Sequence, residues 1–409
     1  MIKKLSDIFL FNPTCEYAIA NGNTSWQPNR LLQKMESDLS CLPLFFATNK
    51  DYVVVDRMPS NNYLGKIKTI KPDLPNFILK NDLKKCTFQD IGINRLIPWG
   101  WSPAAHKLLF PLKSHCSNDF KASPIFNWTE NHKEIYSKRF SLKILHQLTD
   151  TLKLDYIIPD HQLPRICHSK KEVEKLIQKW NKIMVKAPWS SSGRGLQPVT
   201  KIPVHEKVWE KINGIIHEQG FVIVEPLLEK VLDFSFQFEI KNKKPEFLGI
   251  SNFCTDKKGQ YQGNNLNGLP DNTSERIREF QQIVIADIWP VLIKILEKSE
   301  LIELYEGYFG VDTLVYSNNS SELKINPCLE INVRQSMGLL SLQLEKLMVK
   351  NKKAVFRIYY EQGKTFKTFT EKMEGKHPLF ISNHKIESGF FTLTEALDDT
   401  LFGAYILVE

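Results

Sequence analysis

The 409-residue sequence contains no apolar run of about 18 residues, so no membrane-spanning helix is expected. Its seven cysteines, at 15, 41, 86, 116, 167, 254 and 328, include no close pair. That spacing argues against a disulfide framework and against a zinc site, and it points to a reducing compartment. The first residues, Met1-Ile2-Lys3-Lys4-Leu5-Ser6-Asp7, begin basic, but Asp7 interrupts any signal core and no small-residue cleavage site follows. The expected address is the cytoplasm. No long arm of one charge sign exists: 54 Lys and Arg stand against 46 Asp and Glu, and the net charge of +8 is modest for this length. It reads as a mildly basic surface, and no nucleic-acid partner is expected. Glycine (19) and proline (21) are at ordinary usage, which excludes collagen-like and low-complexity classes. There is no internal repeat, no Walker A loop and no Gly-x-Gly-x-x-Gly fingerprint.

What remains is globular composition, 42% hydrophobic and 24% charged, with length for two or three domains. Ile8-Phe9-Leu10-Phe11, stopped by Asn12-Pro13, reads as a buried strand and turn, and Tyr52-Val53-Val54-Val55 as a second strand. A helix after Pro28 separates them, the order of a parallel α/β unit. Trp99-Gly100-Trp101-Ser102-Pro103 reads as a turn into a helix at 103–112, with Ser102 as N-cap. Residues 113–135 lose periodicity and mark a boundary. Three regions are expected: 1–135, 136–345 and a small unit at 346–409. In the middle region Phe234-Ser235-Phe236-Gln237-Phe238-Glu239-Ile240 alternates with period two and is expected to be half-buried. Residues 254–273 are expected to form a long polar loop, and 274–298 an amphipathic helix with Pro290 inside it.

Four stretches of the middle region suggest chemistry. Lys186-Ala187-Pro188-Trp189-Ser190-Ser191-Ser192-Gly193-Arg194-Gly195 ends a strand in a lysine and follows it with small residues. Small residues let backbone N–H groups cradle an anion, although a merely flexible loop has the same composition. In Glu330-Ile331-Asn332-Val333-Arg334 the period of a strand puts Glu330, Asn332 and Arg334 on one face. A carboxylate, an amide oxygen and a guanidinium suit magnesium and phosphate. Asp312 interrupts an apolar strand one hairpin earlier and is expected beside Glu330, where two carboxylates repel unless a cation lies between them. Val224-Glu225-Pro226-Leu227-Leu228-Glu229, followed by Asp233, leaves an apolar strand in an extended segment that could read a base edge or simply connect two strands.

In this order the four stretches resemble the ATP-grasp superfamily, over about residues 137–340. The resemblance implies an α/β (α+β) ATP-grasp fold: an N-terminal α/β pre-domain at 1–135, two subdomains at 136–345 clamping a nucleotide with a lid at about 155–230, and a C-terminal appendage at 346–409. Lys186 would contact the α- and β-phosphates, and Ser190, Ser191, Ser192, Gly193, Arg194 and Gly195 would close over them. Glu225, Leu227 and Leu228 would line the adenine pocket, and Asp233 would take the ribose. Asp312, Glu330 and Asn332 would hold Mg²⁺, with Mn²⁺ as a substitute, and Arg334 would meet the γ-phosphate. Of the two early basic candidates, Lys138 and Arg139, spacing to Lys143 favours Arg139.

The activity so implied is an ATP-dependent carboxylate–amine or carboxylate–thiol ligase, acting on a small-molecule or peptide carboxylate with an amine acceptor. A kinase on the same fold and a non-catalytic nucleotide-binding module are the alternatives, and the intact metal set speaks against the last. Lys257, Lys258 and Tyr261 are expected near the acceptor. The motif Phe11-Asn12-Pro13-Thr14-Cys15-Glu16 and the Trp99-Gly100-Trp101 turn match no member of known substrate; Asn12 and Glu16 follow a strand's C-terminal end, where α/β sheets bind ligands and where structural turns also lie.

Overall fold

The structure is a computed structural model, and it describes residues 5–84, 92–190, 193, 195–256, 259–318 and 320–409. The chain divides into two compact units, each discontinuous in sequence.

The first comprises Met1–Trp128, Gln262–Asp271 and Arg334–Glu409. Its four-stranded parallel sheet places Leu5–Leu10 between Tyr52–Val55 and Gly92–Pro98, with Asn76–Leu79 outermost. The β-branched and aromatic runs make the strands. Asn29, Ser60 and Ser102 each accept a backbone N–H at the start of the helices Arg30–Asp38, Asn61–Lys68 and Pro103–Leu109. The same unit holds antiparallel strands Ala354–Tyr359, Gly403–Val408, Lys385–Thr392 and Phe380–Ser382 in that spatial order. Phe9, Val53 and Trp99 share one core with Leu340, Phe356, Phe391 and Ile406. The expected separate appendage at 346–409 is therefore corrected: its apolar strand faces are buried only by joining the N-terminal core.

The second unit comprises Thr129–Tyr261 and Asn272–Val333. A small antiparallel sheet runs Arg165–Cys167, Val222–Pro226, Ile183–Lys186, Leu196–Val199. Helices Lys170–Trp180 and Glu206–Gln219 cover it through Val173, Ile177 and Ile212. Within this unit Leu323–Asn332, Gly307–Ser317, Glu229–Lys241 and Lys244–Thr255 pair antiparallel in that order. The rings of Phe236 and Phe238 pack on Phe247, which stacks on Trp289 of helix Glu275–Leu296 at 5.0 Å. Residues 233–240 are buried on both faces, not one: Phe234, Phe236 and Phe238 alternate with Asp233, Ser235, Gln237 and Glu239. The polar loop expected over 254–273 is also revised, because strand Lys244–Thr255 runs into its start and Tyr261–Leu266 is a strand within it. Among the described residues no helix is long and apolar enough to cross a membrane.

Candidate active site

Lys186 closes strand Ile183–Lys186 and is only 5% exposed. Antiparallel register sets Met184 opposite Glu225, and the Lys186 ammonium lies 2.7 Å from the Glu225 carboxylate. Burial pushes the Glu225 carboxyl above its ordinary value, and the charge and hydrogen bond of Lys186 only partly offset it. Leu227, at the strand's exit, is on the surface, and its N–H bonds the Lys182 carbonyl at 2.9 Å; Leu228 is half-buried.

Helix Lys138–Leu152 begins under Ser137, whose hydroxyl accepts the Arg139 N–H at 3.1 Å. Its first residue is the cation that reaches the site. Lys138 is 5% exposed, and its ammonium donates to Glu330 at 2.7 Å and to the Ser190 carbonyl at 2.9 Å. The neighbouring Arg139, favoured by spacing, turns outward over the Phe221 ring at 4.1 Å and lies 3.9 Å from Glu134. One position along a helix is about 100°, so the two neighbouring side chains leave the helix in different directions.

Asp312 and Glu330 face each other directly in the antiparallel register, and Gly310 faces Asn332. The Asn332 amide donates to Asp312 at 3.0 Å. On the other side of Asp312 the register partner is Ser235, whose hydroxyl accepts the Gln237 amide at 2.6 Å. Gln237 lies over Gly310, where an added Cβ would come within 3.2 Å of its oxygen. Ser235 and Gln237 went unnoticed in the sequence; their signal is the polar half of an alternation whose both halves are buried. Among the described residues no group of three or more His, Cys, Asp or Glu could hold a metal. Asp312, Glu330 and the Asn332 amide oxygen form instead a set of two carboxylates and one amide, hard donors in register on adjacent strands, which fits Mg²⁺ or Mn²⁺.

Asp233 is buried, 2.8 Å from the Lys230 ammonium and from the Thr255 hydroxyl. The Gly195 carbonyl accepts from Ala187 at 3.0 Å and the Gly193 carbonyl from Leu196 at 3.2 Å, which folds the loop onto its own strand. Gly193 is held at φ +73°, 2.6 Å from the Gly259 carbonyl as measured from an added Cβ, so no side chain is accommodated there. Ser191, Ser192 and Arg194 of that loop, and Lys257 and Lys258, lie outside the described residues; Tyr261 opens a strand.

Strand Leu323–Asn332 ends before Arg334, so the expected common face holds for Glu330 and Asn332 only. Arg334 is a residue of the first unit. There its Nε is hydrogen-bonded and ion-paired to Glu16, and its Nη1 donates to the Gln335 carbonyl at 3.0 Å. The two unassigned sequence motifs meet at this place. The Asn12 amide donates to the Gly100 carbonyl at 2.7 Å and accepts the Gly100 N–H at 3.3 Å. Gly100 admits no side chain, because a Cβ would stand 2.2 Å from the Cys15 sulfur. The Thr14 hydroxyl donates to Glu36 at 2.6 Å, and burial raises the Glu36 carboxyl. These loops leave the C-terminal ends of Leu5–Leu10 and Gly92–Pro98, the adjacent pair from which the sheet's connections run in opposite directions.

No protein-family model and no curated protein matches the chain. Among solved structures it is similar to the biotin carboxylase domain of the Hydrogenobacter thermophilus 2-oxoglutarate carboxylase, with a TM-score of 0.50 and 10% identity over 99% of this chain and 86% of that one. The chain has the ATP-grasp fold. Weaker similarity extends to the Staphylococcus aureus N5-carboxyaminoimidazole synthetase, at a TM-score of 0.47 and 12% identity over 100% of this chain and 94% of that one. The Vibrio cholerae D-alanyl-alanine synthetase A follows at 0.42 and 12%, over 85% and 93%. The small sheet and its two helices occupy residues 165–226.

Proposed function

We propose that this chain is an ATP- and magnesium-dependent ligase. It activates a carboxylate as an acyl phosphate for attack by an amine, or a thiol, and releases ADP and phosphate. The observation that carries the reading is the convergence of Lys138, Glu330, Asp312 and Asn332 on adjacent strands and one helix start, with Lys186 buried at the end of strand Ile183–Lys186. The H. thermophilus domain, bound to MgADP and bicarbonate, lends support through the shared fold.

In this reading Lys186 and the loop at 190–195 hold the α- and β-phosphates, and Lys138 takes the early-cation place that spacing gave to Arg139. Glu225, Leu227 and Leu228 receive the adenine, and Asp233 the ribose. Asp312, Glu330 and Asn332 hold Mg²⁺, and Arg334, two residues beyond Asn332 in the chain, meets the γ-phosphate. Held by these three residues, the metal would supply positive charge against the phosphates. The protein's own share is positioning: fixed cations replace water around the phosphates, and the closed loop keeps water from hydrolysing the activated acid. No cysteine nucleophile is called for. The acceptor set is a small-molecule or peptide carboxylate with an amine, and the expected compartment is the cytoplasm.

The test is release of ADP from Mg-ATP across paired amino acids, dipeptides and small acids, for the wild type and Glu330→Gln. The substitution keeps an acceptor for Lys138 and removes the charge that binds metal, so folded protein without turnover is expected. With the acid labelled by ¹⁸O, a ligase transfers label into inorganic phosphate. An accumulating phosphorylated acceptor establishes a kinase instead, and AMP with pyrophosphate refutes both.

A further inference from the structure

The nucleotide reading leaves the 12–16 and 99–101 motifs without a role, yet both are built around Arg334. Glu16 lies in the first turn of helix Cys15–Asn21 and is 6% exposed. Its Oε1 takes the Arg334 Nε, while the Gln335 carbonyl takes Nη1. A guanidinium is planar with donors in a rigid fork, so anchoring Nε and one Nη on two different groups fixes the plane of the fork. The backbone is fastened as well: the Gln335 N–H donates to the Trp99 carbonyl at 2.8 Å. The neighbouring Gly100 is clasped by Asn12, and a Cβ on Gly100 would lie 3.3 Å from the Arg334 Cβ. A buried carboxylate is costly unless its partner is well placed, so a pair this enclosed defines one geometry. Burial acts to raise the Glu16 carboxyl, but the charge and hydrogen bond of Arg334 outweigh it and hold the group below its ordinary value, so Glu16 is charged at neutral pH.

We propose that Glu16 is a positioning residue: it touches no nucleotide, and it orients the Arg334 guanidinium for the terminal phosphate of a nucleoside triphosphate. The inference rests on the γ-phosphate role proposed above for Arg334.

The experiment needs no acceptor. Dissociation constants for Mg-ADP and for the Mg complex of the β,γ-imido analogue of ATP are measured by calorimetry on the full chain. The proteins are wild type, Glu16→Gln, Glu16→Asp and Arg334→Ala, each with its melting temperature. The wild type is expected to prefer the triphosphate, and Arg334→Ala to lose that preference. Glu16→Gln is expected to lose it by about tenfold, the scale of one charge-assisted hydrogen bond, with ADP affinity unchanged. A merely structural role would weaken both nucleotides alike. If Glu16→Gln does not fold, Glu16→Asp decides, since its arm is one methylene short and part of the preference should go. An undiminished preference in the folded Glu16 variants, with Arg334→Ala defective, overturns the positioning role. A preference that survives Arg334→Ala overturns the assignment of Arg334 itself and leaves the Glu330→Gln test of the ligase reading standing.

Discussion

Replacing Lys186 by methionine tests the buried charge pair directly. The stem is nearly conserved in volume, so the main effect is on Glu225, left buried without its cation. The side chains are 6% and 12% exposed, and breaking such a pair costs about 3–5 kcal/mol. A ceiling exists, because Glu225 can escape by taking a proton. Protonating a carboxyl whose unfolded pKa is about 4.3 costs about 3.7 kcal/mol at about pH 7, and about 1.6 kcal/mol at about pH 5.5. For a unit of roughly 200 residues, at about 2–4 °C per kcal/mol, melting should fall by roughly 7–15 °C at the higher pH and roughly 3–6 °C at the lower. The double variant Lys186→Met/Glu225→Gln removes the stranded charge and should recover most of the loss at the higher pH. Mg-ATP, which raises the wild-type melting temperature by mass action, should raise that of Lys186→Met less. Scanning calorimetry at the two pH values measures all of this. An equal loss at both, or an equal loss when Glu225 is already glutamine, would refute the argument.

Gly100→Ala should destabilise by about 1–3 kcal/mol, since its Cβ meets the Cys15 sulfur at 2.2 Å, and Cys15→Ala should relieve the clash; urea titration of the single and double variants reads the coupling. Because the folded Glu16 carboxyl sits below its ordinary value, its pair with Arg334 contributes stability above about pH 4.3 that is lost as pH falls through the lowered value. Glu16→Gln should flatten that acid limb in a stability-versus-pH series, and an unchanged limb counts against it. Gln335 is 2% exposed, with neither amide atom hydrogen-bonded among the described residues, so Gln335→Met should raise stability by about 1–3 kcal/mol in thermal melts without ligand.

The elements that carry the site were legible because they are local. A strand ending in Lys186, a Ser102 cap and a hairpin that sets Asp312 opposite Glu330 follow from periodicity and turn residues within a few positions of each other. That Lys138 and not Arg139 lies beside Glu330 was not, since adjacent helix residues differ only in which way the folded core makes them point. Nor was the Glu16–Arg334 pair, whose members stand 318 positions apart. The burial of Ser235 and Gln237 was not legible either, because alternation shows that a strand has two faces and not what covers the second. The C-terminal strands looked self-contained for the same reason: their patterning demands a partner surface without naming it.

The first unit needs residues from both ends of the sequence, with Phe9 and Val53 waiting for Phe356 and Ile406. On a ribosome adding about 5–20 residues per second, the second unit is fully synthesised several seconds before the last strand Gly403–Val408 exists. The interrupted unit must spend that interval as an open parallel sheet with its aliphatic face uncovered, while the inserted unit is free to fold. A nascent chain stalled shortly after Val333 should therefore resist protease across 129–333 and be cut readily before 128, an inversion of the usual order in which amino-terminal structure is secured first.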